Sequence, residues 1–299
     1  MKLFTFWSFA PTTYIERLCL KSMLTAGHPV DLYTFDESVD VPEGVTVRDA
    51  SEIMPRNQVL FHQSGSPALF SDLFRYSGLR RGLGTWVDAD VLLLRPIVDL
   101  GEYILGWQDD RFINGAILRL PPDSGIFAYV DKLVNARVPV PPYWPLRKKI
   151  RQLARGCFGR HRPLERLDWG VIGPKALTHF ALKNGLAKLA QPTDVFYPLG
   201  WRDVRTLFDP AAHIESRFTA RTRAVHLYNF QLREDKLKPP PQGSFIARIC
   251  DHYGVECSVH GSVQRTEQAG AARFSHGLAA TQLARDARQG DRLCDEASG

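Results

Sequence analysis

The amino-acid sequence predicts an α/β fold around a mostly parallel sheet, and three observations predict it. Short runs rich in aliphatic and aromatic residues alternate with stretches of helical period from Lys2 to Phe230. Glycines close two of the helical stretches, after Ala26 and after Arg81. With 299 residues, 44% of them hydrophobic, the chain can bury a large core in one domain.

Each element follows from local pattern. KLFTFWSF (2–9), dense in aromatics, reads as a buried first strand. A helix follows over PTTYIERLCLKSMLTAG (11–27): Tyr14, Ile15, Leu18, Met23 and Leu24 fit one stripe, Thr12 or Thr13 can cap it, and Gly27 ends it. HPVDLYTFD (28–36) is the second strand and VTVRDA (45–50) a short third. SPALFSDLFRYSGLRRGLG (66–84) is a second helix, and TWVDADVLLL (85–94) reads as one continuous strand. EYILGWQD (102–109) and FINGAILRLP (112–121) are strands, and GIFAYVDKLVNAR (125–137) is a helix. VPVPPYWP (138–145) holds too much proline for a helix and is expected to be an extended connector. Pro174 suits the first turn of a later helix, and RAVHLYNF (223–230) is a last strand. Beyond about residue 260 large apolar residues are scarce, so 260–299 is expected to be a disordered tail behind a domain spanning 1–259.

Composition excludes several classes. No run of apolar residues is long enough to span a membrane, and no signal peptide is expected at the N-terminus. The five cysteines lack C-x-x-C spacing, which argues against a zinc site or a disulfide framework and for a reducing, cytoplasmic setting. A net charge of +6 fits a phosphate-bearing ligand or an anionic surface, and without an aromatic–basic array it does not suggest nucleic acid.

Asp88 and Asp90 stand one residue apart in an otherwise apolar run. In an extended strand, positions i and i+2 share a face, so both carboxylates can converge on one ligand at the carboxyl edge of the sheet. Such a hard oxygen pair suits Mg²⁺ or Mn²⁺ shared with a phosphate. The plain alternative is that the two residues cap or turn the chain. A phosphatase-like aspartyl nucleophile is disfavoured, because Leu92 stands where that chemistry usually has Thr.

The surrounding pattern resembles the D-x-D nucleotide-sugar glycosyltransferases, among them α-1,4-galactosyltransferases, yeast-type initiating mannosyltransferases and the glucosylating clostridial toxins. Ser71, Asp72, Arg75 and Tyr76 match its S-D-x-x-R-Y block, and Asp88 and Asp90 follow twelve and fourteen positions after Tyr76. NGAILRLP (114–121), GPKAL (173–177) and AVHLYNF (224–230) match later landmarks. The resemblance implies a glycosyltransferase-A fold, a Rossmann-like nucleotide-binding domain with a mixed, mostly parallel sheet. It implies that Asp90 binds the cation directly, that Asp88 reaches metal or ribose, and that His226, or failing it Asn229, completes the metal shell. It places Asp72 on donor-sugar hydroxyls, Arg75 near sugar or diphosphate, Trp7 under the base, Asn114 beside the sugar, and Asp168 in a sugar or acceptor pocket. From the residues alone, Asp72 and Arg75 can equally form a salt bridge, and Trp7 can be a core residue.

The expected function is therefore a metal-dependent, retaining transfer of a hexose to a saccharide or lipid-linked saccharide in surface-glycan, lipopolysaccharide or capsule assembly. A UDP-hexose donor is favoured over GDP-mannose. A toxin-like protein glycosyltransferase and a non-catalytic nucleotide-sugar-binding module are the alternatives. A Pro-rich and basic insertion at 138–166 carries, within 143–166, eight Lys or Arg against one Glu. It is expected to be either a basic amphipathic helix on an anionic inner-membrane surface or a lid over the donor.

Overall fold

The computed structural model of the chain describes residues 1–36 and 38–257, and its sheet grows outward from the aromatic first strand. β1 (Leu3–Phe6) is wholly buried. It pairs in parallel with β2 (Val30–Thr34) on one side and with β4 (Thr85–Val87) on the other, and β3 (Val45–Asp49) joins β2 in parallel. Beyond β4 the direction reverses. β7 (Ile113–Arg119) runs antiparallel to β4, and β6 (Ile104–Trp107) antiparallel to β7. The order β3-β2-β1-β4-β7-β6 sets every strand but β7 in one direction. This is the mixed, mostly parallel sheet expected of the sequence.

The helices begin and end where local chemistry directs. α1 (Tyr14–Thr25) opens on Thr13 with a full capping box: the Thr13 hydroxyl accepts from the Ile15 N–H, and the Glu16 carboxylate accepts from the Thr13 N–H at 2.6 Å. Gly27, in the left-handed region at φ 81°, closes it. α2 (Ala68–Arg80) crosses β1 so closely that a Cβ on Gly78 would lie 2.3 Å from the Phe4 ring, which only glycine avoids. α3 (Ile126–Val134) and α4 (Leu146–Cys157) flank the proline connector, and α5 (Pro174–Lys183) carries Pro174 in its first turn as expected. α6 (Thr193–Phe196) and α7 (Phe245–Tyr253) complete the described helices.

The continuous strand expected over 85–94 is broken. β4 stops at Val87, the chain turns through Asp88–Ala89–Asp90, and the Val91 N–H donates to the Asp88 carbonyl at 3.1 Å. β5 (Val91–Leu93) then leaves the main sheet and pairs antiparallel with β8 (Ala224–His226), which sets His226 opposite Val91. The physical reason is the pair of acids. Held in a flat strand they would occupy neighbouring buried positions; a turn brings them to the rim. The last strand is likewise shorter than expected, ending at His226, because Tyr228 adopts φ 48° and swings Asn229 toward Asp90.

One apolar cluster lies between β1, β2, β7 and α1, and a second joins α1 and α7 to β5 and β8. The D-x-D turn sits where these two bodies of core meet. Among the described residues no helix is long and apolar enough to cross a membrane. The tail expected from about 260 onward lies outside the described residues.

Candidate active site

Because β1 and β4 run in parallel, Trp7 and Asp88, each following its strand, emerge at the same edge of the sheet. β7 runs the other way, so its beginning, with Asn114 and Gly115, arrives at that edge too. The carboxyl edge is thus assembled from three neighbouring strands, with β8 approaching from the smaller sheet.

The Asp88 backbone is fixed by its N–H donating to the Ala116 carbonyl at 2.7 Å. Its Oδ1 accepts from Arg75 Nη2 at 2.8 Å and from the Trp86 indole N–H. Arg75 also meets Asp72 Oδ1 at 3.1 Å and lies over the Trp86 ring, so the guanidinium is clamped between two acids and an aromatic face. It rests on bare backbone: a Cβ on Gly115 would fall 2.3 Å from Arg75 Nη1. The glycine of the N-G-A block is therefore the floor under this arginine. Gly173 serves the other end, since a Cβ there would come within 2.5 Å of Asp72 Oδ2.

Asp90 faces a different set of donors. Its Oδ2 accepts from the Asn229 N–H at 2.7 Å, its carbonyl accepts from the Leu227 N–H at 2.9 Å, and His226 Nε2 lies 3.4 Å from its Oδ1. One ligand atom from each of Asp88, Asp90 and His226 lies within 4.8 Å of the others. Two carboxylate oxygens and an imidazole form a donor set that suits Mn²⁺ or Mg²⁺, with imidazole favouring Mn²⁺. His226 Nδ1 and Asn229 Oδ1 are buried with no hydrogen-bond partner among the described residues. These unused donor atoms fit a site built for an additional group.

The electrostatics separate the two aspartates. Burial lifts the Asp88 carboxyl above its ordinary range, Arg75 opposes that, and the charge of Asp90 adds to it. Burial also works against the Asp90 carboxylate, but the charge and hydrogen bond of His226 with the Asn229 N–H outweigh it and hold Asp90 below the usual range. His226 is displaced the other way: burial disfavours its charged form, yet Asp90 raises its pKa. Asp72 is pushed up to about 6 by burial, with Arg75 opposing and Asp88 assisting.

Other expected site residues fall into different surroundings. Asn114 folds back on its own strand, its Oδ1 accepting from the Ala116 N–H at 2.8 Å and its amide donating to Gln108. Trp7 stands half-buried with the Lys236 ammonium 5.2 Å from its ring centroid. Asp168 is engaged by the basic segment, pairing with Lys148 and, at 3.9 Å, with Arg162. Lys148 holds its carboxyl below the usual range by a direct hydrogen bond.

Sequence reasoning missed Glu16 and Lys236. Glu16 is fully buried; its Oε1 accepts from Asn229 Nδ2 at 2.8 Å and meets Lys236 Nζ at 3.2 Å. A chain of contacts therefore runs from Asp90 through Asn229 and Glu16 to Lys236, and on to the face of Trp7. The Thr13-x-x-Glu16 spacing carried a local signal for the cap, but nothing local ties Glu16 to a lysine 220 positions later.

Residues 165–260 match the family model of the alpha 1,4-glycosyltransferase conserved region. That span supplies Asp168, His226, Asn229 and Lys236, whereas Asp88 and Asp90 lie outside it; the fold brings His226 and Asn229 to the two aspartates. No match is found among curated proteins. Among solved structures the chain is similar to one titled PaToxG Glycosyltransferase, with 11% identity over 63% of this chain and 74% of that one. The TM-score is 0.38, a loose likeness.

Proposed function

We propose that this chain, a glycosyltransferase of the D-x-D kind, moves a hexose from a nucleotide sugar to a saccharide acceptor, with a divalent cation held by Asp88, Asp90 and His226. The convergence of those three side chains, from strand ends far apart in sequence, is the observation that carries the reading. When bound, the cation neutralises the charge that builds on the departing diphosphate.

The chain's own residues prepare the rest. Arg75 opposes the burial that raises the Asp88 pKa and fixes the direction of its carboxyl through the 2.8 Å hydrogen bond to Oδ1. The Asn229 N–H orients Asp90, and Asn229 is in turn held by Glu16. Trp7 offers a half-buried aromatic face at the sheet edge for the nucleotide base, and Lys236, paired with Glu16, lies 5.2 Å from its ring centroid and helps hold the ring. In this reading Asp72, held by Arg75 and packed against bare Gly173, would accept from donor-sugar hydroxyls, and the family resemblance assigns Asn114 to the donor sugar and Asp168 to a sugar or acceptor pocket. A UDP-hexose donor, retention of anomeric configuration and a place in surface-glycan assembly complete the reading, and they rest on the resemblance of the S-D-x-x-R-Y and D-x-D blocks.

The test is a panel of nucleotide sugars incubated with Mn²⁺, with hydrolysis measured in the absence of acceptor. One UDP-hexose should turn over, and Asp90→Ala should lower the rate by about a thousandfold, equivalent to about 4 kcal/mol. Equal turnover by the variant, or turnover unaffected by chelator, would overturn the assignment.

A further inference from the structure

We propose that α4 is a docking element that seats the protein on a bilayer surface bearing anionic headgroups. The proposal goes beyond glycosyl transfer and does not depend on it. In a water-exposed helix the apolar stripe faces the core. Here it faces outward: Leu146, Ile150 and Leu153 are 71, 56 and 52% exposed, and exposed Cys157 continues the line. At 100° per residue these four positions fall within a strip about 60° wide. Phe158, 78% exposed, extends it past the end of the helix.

The orientation is held by specific contacts on the opposite side. Gln152 is buried there; its amide donates to the Arg162 carbonyl at 2.7 Å, and its Oε1 accepts from the Arg162 N–H at 3.1 Å. Lys148 pairs with Asp168 and lies 4.1 Å from the centroid of the buried Trp144 ring. Gly156 packs so tightly on Val138 that a Cβ would come within 2.6 Å of it. The helix therefore cannot roll its stripe inward without losing these contacts.

The flanks of the stripe choose the occupant. Arg147 and Lys149 border it on either side, Arg151, Arg155 and Arg160 add charge farther round and beyond the helix, and no acidic residue occurs from 143 to 163. A surface that takes up apolar side chains and offsets several cations at once is the interface of an anionic bilayer. A second copy of the same helix would set cation against cation.

The full chain should sediment with vesicles of phosphatidylglycerol and phosphatidylcholine at low salt, and stay in solution with phosphatidylcholine alone or at high salt. Ile150→Glu/Leu153→Glu should weaken binding by more than about tenfold. Arg147→Ala/Lys149→Ala should weaken it about 25-fold, from roughly fivefold for each cation. Both variants should keep the unfolding temperature and the nucleotide-sugar hydrolysis of the parent, so that failure of docking is read separately from failure of the fold or of the transferase assignment. Parent protein that remains in the supernatant with anionic vesicles at low salt would overturn the proposal, as would a glutamate variant that binds equally well. A parent dimer that the glutamate variant dissociates would reassign the stripe to a second copy of the chain.

Discussion

The D-x-D turn and α4 break the ordinary partition of side chains in opposite senses. At the sheet edge, acids, an arginine, a histidine and a lysine are drawn into the interior; on α4 and just past its end, leucine, isoleucine and phenylalanine are pushed out. Both arrangements cost free energy in the isolated protein, through desolvation of charge in one case and hydration of apolar surface in the other. What differs is how each is tolerated. The buried charges satisfy one another within the fold, in an alternation of Asp72, Arg75 and Asp88 on one side and Glu16 and Lys236 on the other. The exposed apolar groups have no such internal remedy, and only an outside surface can relieve them. A site that closes on a small ligand can be completed from within, whereas a site that meets a surface has to be left open.

The contrast is broken most forcefully at the buried pair. Lys236→Met leaves Glu16 unpaired in the interior and should destabilise the protein by about 3–5 kcal/mol in urea unfolding. If the loss were small, the interior charges would not be mutually sustained as argued.

A pH series shows where that mutual compensation falls short, at Asp72. Its folded pKa of about 6 lies above its ordinary value of 3.8, so the folded protein holds that proton more tightly than the unfolded chain. Stability is therefore lost as pH rises from about 4 through 6, by up to about 3 kcal/mol at 1.36 kcal/mol per unit. In chelator, the stability of Asp72→Asn relative to the parent should climb by that order across the window; a flat difference would contradict the burial of this carboxylate. The smallest effect is expected at α4, where Ile150→Glu should alter stability by no more than about 0.5 kcal/mol, since the side chain touches solvent.

The legible parts of this molecule are those whose causes are local. The Thr13 cap, the Gly27 stop, the aromatic β1 and Pro174 at the head of α5 are all visible in a few consecutive residues. A basic amphipathic helix was legible within 143–166 too, but not which residues form its exposed apolar side, which Gln152, Gly156 and Lys148 decide through contacts outside the helix. The D-x-D pair was read as two same-face positions of one strand. A turn achieves the same convergence, and apolar runs on both sides hid the break because Val91 and Leu92 suit the second sheet as well as the first. Glu16, Lys236 and the clamp on Arg75 were illegible for a different reason: each takes its role from a residue remote in the chain, and identity alone does not reveal the partner.

The central claim is that Asp88, Asp90 and His226 grip one divalent ion, and electron paramagnetic resonance of Mn²⁺ titrated into metal-free protein tests it without any assay of turnover. The parent should bind a single equivalent, and Asp90→Ala should lower the affinity by at least about a hundredfold. Indistinguishable titrations for parent and variant would contradict the account.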